Sequence, residues 1–168
     1  MKEVIYQIED SVSMSYLRYV PVICIAGALI GFFALTQLWV HHVDGFDWSV
    51  DLTGIDLMNS PWDGFQANIP VIVAALSGVT IVVAILNMTV RRFWFGPFVA
   101  LVLGIAIMIL TSLFSMWTIG PAGETERIVH FADIGFWLSY VTGGVIILGV
   151  ALQYSVMFRK PVKTNKKA

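Results

Sequence analysis

Four long stretches of this chain contain no Asp, Glu, Lys, Arg or His: Tyr19 to Val40, Asn68 to Val90, Phe93 to Ile119 and Ile134 to Phe158. That absence removes most chemistry. Ion-coupled transporters place a carboxylate at membrane depth. Haem-binding bundles need histidines within their helices, and intramembrane proteases need a buried Ser/His, Asp/Asp or His-Glu-x-x-His set. None of these can be assembled from the four stretches. Cysteine is scarce as well. Cys24 stands alone, so there is no internal disulfide and no paired-thiol redox chemistry. Charge is thin throughout, at 12% of residues against about 25% in typical soluble domains.

What is present is apolar length. Each stretch exceeds the ~20 residues a helix needs to cross a bilayer. Each is apolar all round, where a soluble helix shows one apolar stripe. A bilayer admits only helices or closed barrels, and these runs are too long and too uniform for barrel strands. The predicted fold is an all-α membrane protein, a four-transmembrane-helix bundle with a small extracytoplasmic β-hairpin. Its helices are expected at 19–40, 68–90, 93–119 and 134–158. A short lead covers 1–18, outer loops cover 41–67 and 120–133, and a basic tail covers 159–168.

Basic residues orient the bundle. Lys2 and Arg18 precede the first run, Arg91 and Arg92 separate the second and third, and Arg159, Lys160, Lys163, Lys166 and Lys167 follow the fourth. Arg127 alone falls on the other side. The positive-inside rule then puts both termini in the cytoplasm of a multi-pass cell-membrane protein. The acids Asp44, Asp47, Asp51, Asp56, Asp63, Glu124, Glu126 and Asp133 all lie in the outer loops. The first helix is too long for a signal h-region and is expected to be retained.

Small residues recur at four-residue spacing: Gly27 and Gly31, Ala74 and Gly78, Gly96, Ala100 and Gly104, then Gly135, Ser139 and Gly143. That spacing shares one helix face and lets backbones approach closely. Gly27, Gly31, Gly78, Gly96, Ala100, Gly104, Gly135, Ser139 and Gly143 are the expected helix-packing residues. Trp39, Trp94, Trp117, Trp137 and Tyr154 fall near helix ends and read as headgroup anchors.

The first outer loop holds the clearest local pattern. Asp44-Gly45 is a two-residue turn signal. Phe46, Trp48, Val50 and Leu52 then alternate with Asp47, Ser49, Asp51 and Thr53, which argues a strand. A two-residue turn pairs His41 with Trp48, Trp39 with Val50, and His42 with Asp47. Ile128 to Phe131 is a second candidate strand. Trp39, His41, Phe46, Asp47, Trp48, Asp51 and Trp62 are the expected outer-loop interaction residues. A metal reading fits poorly. Adjacent His41 and His42 point to opposite strand faces, and Asp47 and Asp51 lie about 13 Å apart at ~3.3 Å per residue. No catalytic, cofactor or metal residue is expected.

The Gly27-Ala28-Leu29 and Trp39-Val40 segments, then Leu52-Thr53-Gly54-Ile55-Asp56-Leu57 and Asp133-Ile134-Gly135-Phe136-Trp137-Leu138, resemble small prokaryotic four-helix proteins of the tryptophan-associated membrane group. The layout is loosely similar to claudin-type folds, without their paired loop cysteines. The resemblance implies an architecture and no activity. The leading expectation for function is a non-enzymatic accessory or structural subunit. Its expected partners are membrane lipid and either a second copy of itself or a larger membrane protein complex, with no nucleic acid. The alternative is a small oligomeric channel or transporter component with an acidic outer mouth. A sensor or adhesion module at the outer surface is a further reading.

Overall fold

A computed structural model describes residues 21–41, 51–59, 65–90, 95–119 and 126–157. The described chain is mostly helical. Helix α1 covers Pro21–Thr36. Strands β1 (Leu38–Val40) and β2 (Leu52–Thr53) pair antiparallel and lead into a short helix α2 (Gly54–Asn59). A 3-10 turn at Phe65–Asn68 enters α3 (Ile69–Thr89). Then come α4 (Gly96–Ser115), strands β3 (Thr118–Ile119) and β4 (Glu126–Arg127), a 3-10 turn at Ile128–Phe131, and α5 (Ile134–Met157).

Three helices are long and apolar enough to cross a membrane: Phe65–Thr89, Gly96–Ser115 and Ile134–Ser155. Pro70 and Pro97 sit in the first turns of α3 and α4. A proline there forfeits no helix hydrogen bond, because the first N–H groups of a helix have no partner within it. Both proline positions therefore favour starting a helix where one starts.

Small residues set the packing. A Cβ on Gly27 would stand 3.0 Å from Val145 Cγ1, and one on Gly149 would stand 2.9 Å from Cys24 Sγ. Gly31 meets Ser77 of α3 and Thr142 of α5, and Gly78 meets the Phe32 ring. Helix α1 thus runs antiparallel along α5 and beside α3. Gly104 and Gly143 face each other between α4 and α5, where a Cβ on Gly143 would reach Met108 Cγ at 2.5 Å and Gly104 O at 3.0 Å. Ala100 and Ser139 are buried, as is Gly96. Close contacts thus fall at Gly27, Gly31, Gly104 and Gly143. Gly144 is different, with nothing within 4 Å of an added Cβ.

Hydrophobic length overran the helices at one end of the molecule. The first was expected to reach Val40 and the third Ile119. Instead α1 is described to Thr36, α4 ends at Ser115, and the residues beyond form β1 and β3. Ile128–Phe131 is a 3-10 turn, with the strand one step earlier at Glu126–Arg127. Apolar content alone cannot separate a helix end from a buried strand, because both are apolar.

Candidate functional site: the tryptophan-capped end

The irregular elements gather at the end where α1 and α4 finish and α3 and α5 begin. Trp39 in β1 lies at their centre and is fully buried. Its indole Nε1–H donates to Ala34 O at 2.7 Å. The last carbonyls of a helix have no partner within it, and the indole supplies one for α1. Gln37 N–H donates to the same oxygen at 3.2 Å. One side chain thus both ends the helix and fills the space beyond it.

Two glycines leave room for that ring. A Cβ on Gly135 would stand 2.5 Å from Trp39 Cδ1, and one on Gly54 would stand 3.0 Å from Trp39 Nε1. Phe114 and Phe136 meet the indole edge-on, with centroids 5.1 and 6.5 Å away. Such edge-to-face pairs add about 0.5–1.5 kcal/mol each beyond area burial. Beneath lie Leu57, Ile69, Ile107 and Ile128, all fully buried.

Backbone pairing closes the cap. β1 lies between β2 on one side and Ala132 on the other, through Val40. Asp133 N–H donates to Trp39 O at 3.1 Å, and Ile128 N–H donates to Trp117 O at 2.8 Å. α2 opens with a capping box. Thr53 N–H and Oγ1–H both donate to Asp56 Oδ2, at 3.1 and 2.6 Å, and Asp56 N–H returns to Thr53 Oγ1 at 3.2 Å. These bonds from Thr53, the hydroxyl first, hold the Asp56 carboxyl below its usual range.

The rim differs from the sequence reading. β1 and β2 pair Leu38 with Thr53 and Val40 with Leu52, with an irregularity between the two pairs. The expected register put Val50 opposite Trp39. The strand is displaced because Gly54 must reach the indole, which draws Thr53 level with Leu38. His41 consequently faces Asp51, Nδ1 to Oδ1 at 2.9 Å, with both side chains about half exposed. His42, Phe46, Asp47, Trp48 and Trp62 lie outside the described residues. Trp39 is neither a headgroup anchor nor an exposed contact, since protein covers it completely. Trp137, by contrast, is 55% exposed.

The interior between the helices is polar in places but self-contained. Ser77, Thr111, Ser139 and Thr142 each donate to the carbonyl four residues earlier on their own helix. Asn87 Nδ2–H donates to Gln153 Oε1 at 3.3 Å, joining α3 to α5. Ser112 Oγ and Tyr140 OH, 3.0 Å apart, join α4 to α5. Among the described residues no buried side-chain nitrogen or oxygen lacks a partner. No group of three or more His, Cys, Asp or Glu could hold a metal among them either.

No family model, curated protein or solved structure matches the chain. Two features escaped the sequence reading. Gly149 stands outside the four-residue series on α5, so spacing gave it no weight. Gly54 carried a usable signal, because Thr53-x-x-Asp56 is a capping-box pattern that announces a helix start.

Proposed function

We propose that this chain is a non-enzymatic integral membrane accessory or structural subunit. It is inserted as four helices with both termini in the cytoplasm, and it packs against a larger membrane protein or a second copy of itself. One observation carries this reading: among the described residues every buried side-chain nitrogen and oxygen has a partner, while the exposed faces of the long helices are broadly apolar. Phe98, Val102, Ile105, Ile109 and Leu113 on α4 are exposed, as are Val79, Val82 and Ile85 on α3. In water such a surface would drive association. In a bilayer it is the lipid-facing and partner-facing side.

The fourth span is α1, whose antiparallel course along α5 supports counting it with the others. The basic residues support the orientation. A pore reading needs several polar side chains free along one axis. Here Asn87 and Gln153 occupy each other, and Thr111 is bonded within its own helix. That favours the subunit over the channel component.

Native mass spectrometry of the protein released from its own membrane in mild detergent tests the reading. A defined complex with another membrane protein, or a homo-oligomer without ion conductance in planar bilayers, is the expected result. A lone monomer, or a conducting homo-oligomer, would overturn it.

A further inference from the structure

We infer that α2, with Phe65 beside it, is a lipid-seated interfacial helix that rests in the bilayer leaflet at the capped end. The inference rests on the membrane reading above and adds a surface to it. α3 has 21 residues, so at about 1.5 Å per residue it spans roughly the ~30 Å of a hydrocarbon core. Its first turn therefore marks one boundary of that core. Gly54, the first residue of α2, lies at this level. A Cβ there would stand 2.8 Å from Pro70 Cβ in that first turn, and 2.8 Å from Leu35 O in the last turn of α1. α2 thus starts at the boundary.

Its side chains divide accordingly. Leu57 is fully buried against the bundle, while Ile55 and Met58 are 46% and 52% exposed. Three residues apart, they share one face. Phe65, and Phe33 near the end of α1, are also exposed. The polar side chains of α2, Asp56 and Asn59, are exposed as well and are tied to their own helix. Asp56 is held by Thr53, and Asn59 Nδ2–H donates to Ile55 O at 3.1 Å. A short helix that exposes apolar Ile55 and Met58 beside polar Asp56 and Asn59 at headgroup depth has the character of an interfacial anchor. Lipid is the occupant because Gly54 fixes the start of α2 beside the first turn of α3, at a depth the length of that helix defines.

The test uses the full chain in a Cys24→Ala background, with one cysteine introduced at a time and labelled with an environment-sensitive fluorophore. Ile55→Cys and Met58→Cys are compared with Ile105→Cys at mid-helix on α4 and with Asp51→Cys on the rim. Vesicles of phosphatidylcholine carry bromine either near the carbonyl end or near the methyl end of the acyl chains. The expected result is loss of most emission at positions 55 and 58 with bromine near the carbonyl end, and weaker quenching with the deeper bromine. Position 105 should show the reverse order, and position 51 should be quenched only by aqueous iodide. Iodide quenching at 55 and 58 would overturn the proposal in favour of a solvated helix. Protection from both quenchers would overturn it in favour of a protein partner. Iodide quenching at position 105 would instead overturn the membrane reading itself, and this proposal with it.

Discussion

The two ends of the molecule solve the same packing problem with opposite materials. At the capped end, Trp39, Phe114 and Phe136 fill the space, and the backbone leaves the helix to form strands and 3-10 turns. At the other end the core is Cys24, Val83, Ala84, Ala100 and Val150, and regular helix continues. Small residues let helices touch directly, so nothing has to bend. A large ring needs vacated space, and Gly54 and Gly135 supply it. Among the described residues, irregular backbone appears where one bulky side chain is enclosed, and backbone groups of Gln37, Trp39, Trp117, Ile128 and Asp133 find partners there.

The strongest way to break this contrast is Trp39→Ala. It should cost about 3–5 kcal/mol, the usual range for emptying a large aromatic site. A large drop in thermal stability in detergent would read it out. Gly143→Leu comes next, because Gly104 O is backbone and cannot yield. Overpacking there should cost about 1–3 kcal/mol in the same assay. Asn87→Leu should cost only about 0.6 kcal/mol, the typical value for an interhelical hydrogen bond in a membrane. Gly144→Leu should change folding stability by less than about 0.5 kcal/mol, because an added Cβ meets nothing. Loss of assembly with intact folding in that variant would place a partner on that face of α5.

The smallest effect concerns pH. The Asp56 carboxyl titrates below its ordinary value in the folded protein. Its contribution is therefore complete above the unfolded value near 3.8 and is lost as pH falls through the lower folded value. Carbon-detected NMR titration should find the depressed value, and Thr53→Val should raise it toward the ordinary range. An unshifted Asp56 in the unaltered chain would remove the capping box from the account.

Much of this architecture was legible in the residues. The absence of charge located the long helices within a few residues at most described ends, and Gly27, Gly31, Gly104 and Gly143 of the four-residue series lie at close contacts. The capped end was legible only in part. Its segments, Leu52 to Leu57 and Asp133 to Leu138, stood out as patterns. Why Gly54 and Gly135 are glycines depends on a ring from residue 39, and no local pattern carries that relation. The strand register failed for the same reason. A two-residue turn at Asp44-Gly45 is a local preference, whereas the position of Thr53 is set by where Gly54 must lie. Trp39 resembles an anchor in sequence because a tryptophan at a helix end has two uses, and burial separates them.

Protein encloses Trp39, and this ring organises the capped end. Fluorine NMR of the protein labelled with 5-fluorotryptophan in lipid tests it most directly, with the Trp39 signal assigned by its loss in Trp39→Phe. A water-soluble gadolinium chelate and a lipid-soluble nitroxide should each leave Trp39 sharp, while the nitroxide broadens Trp137. Broadening of Trp39 by either reagent would make it an interfacial anchor and contradict the account.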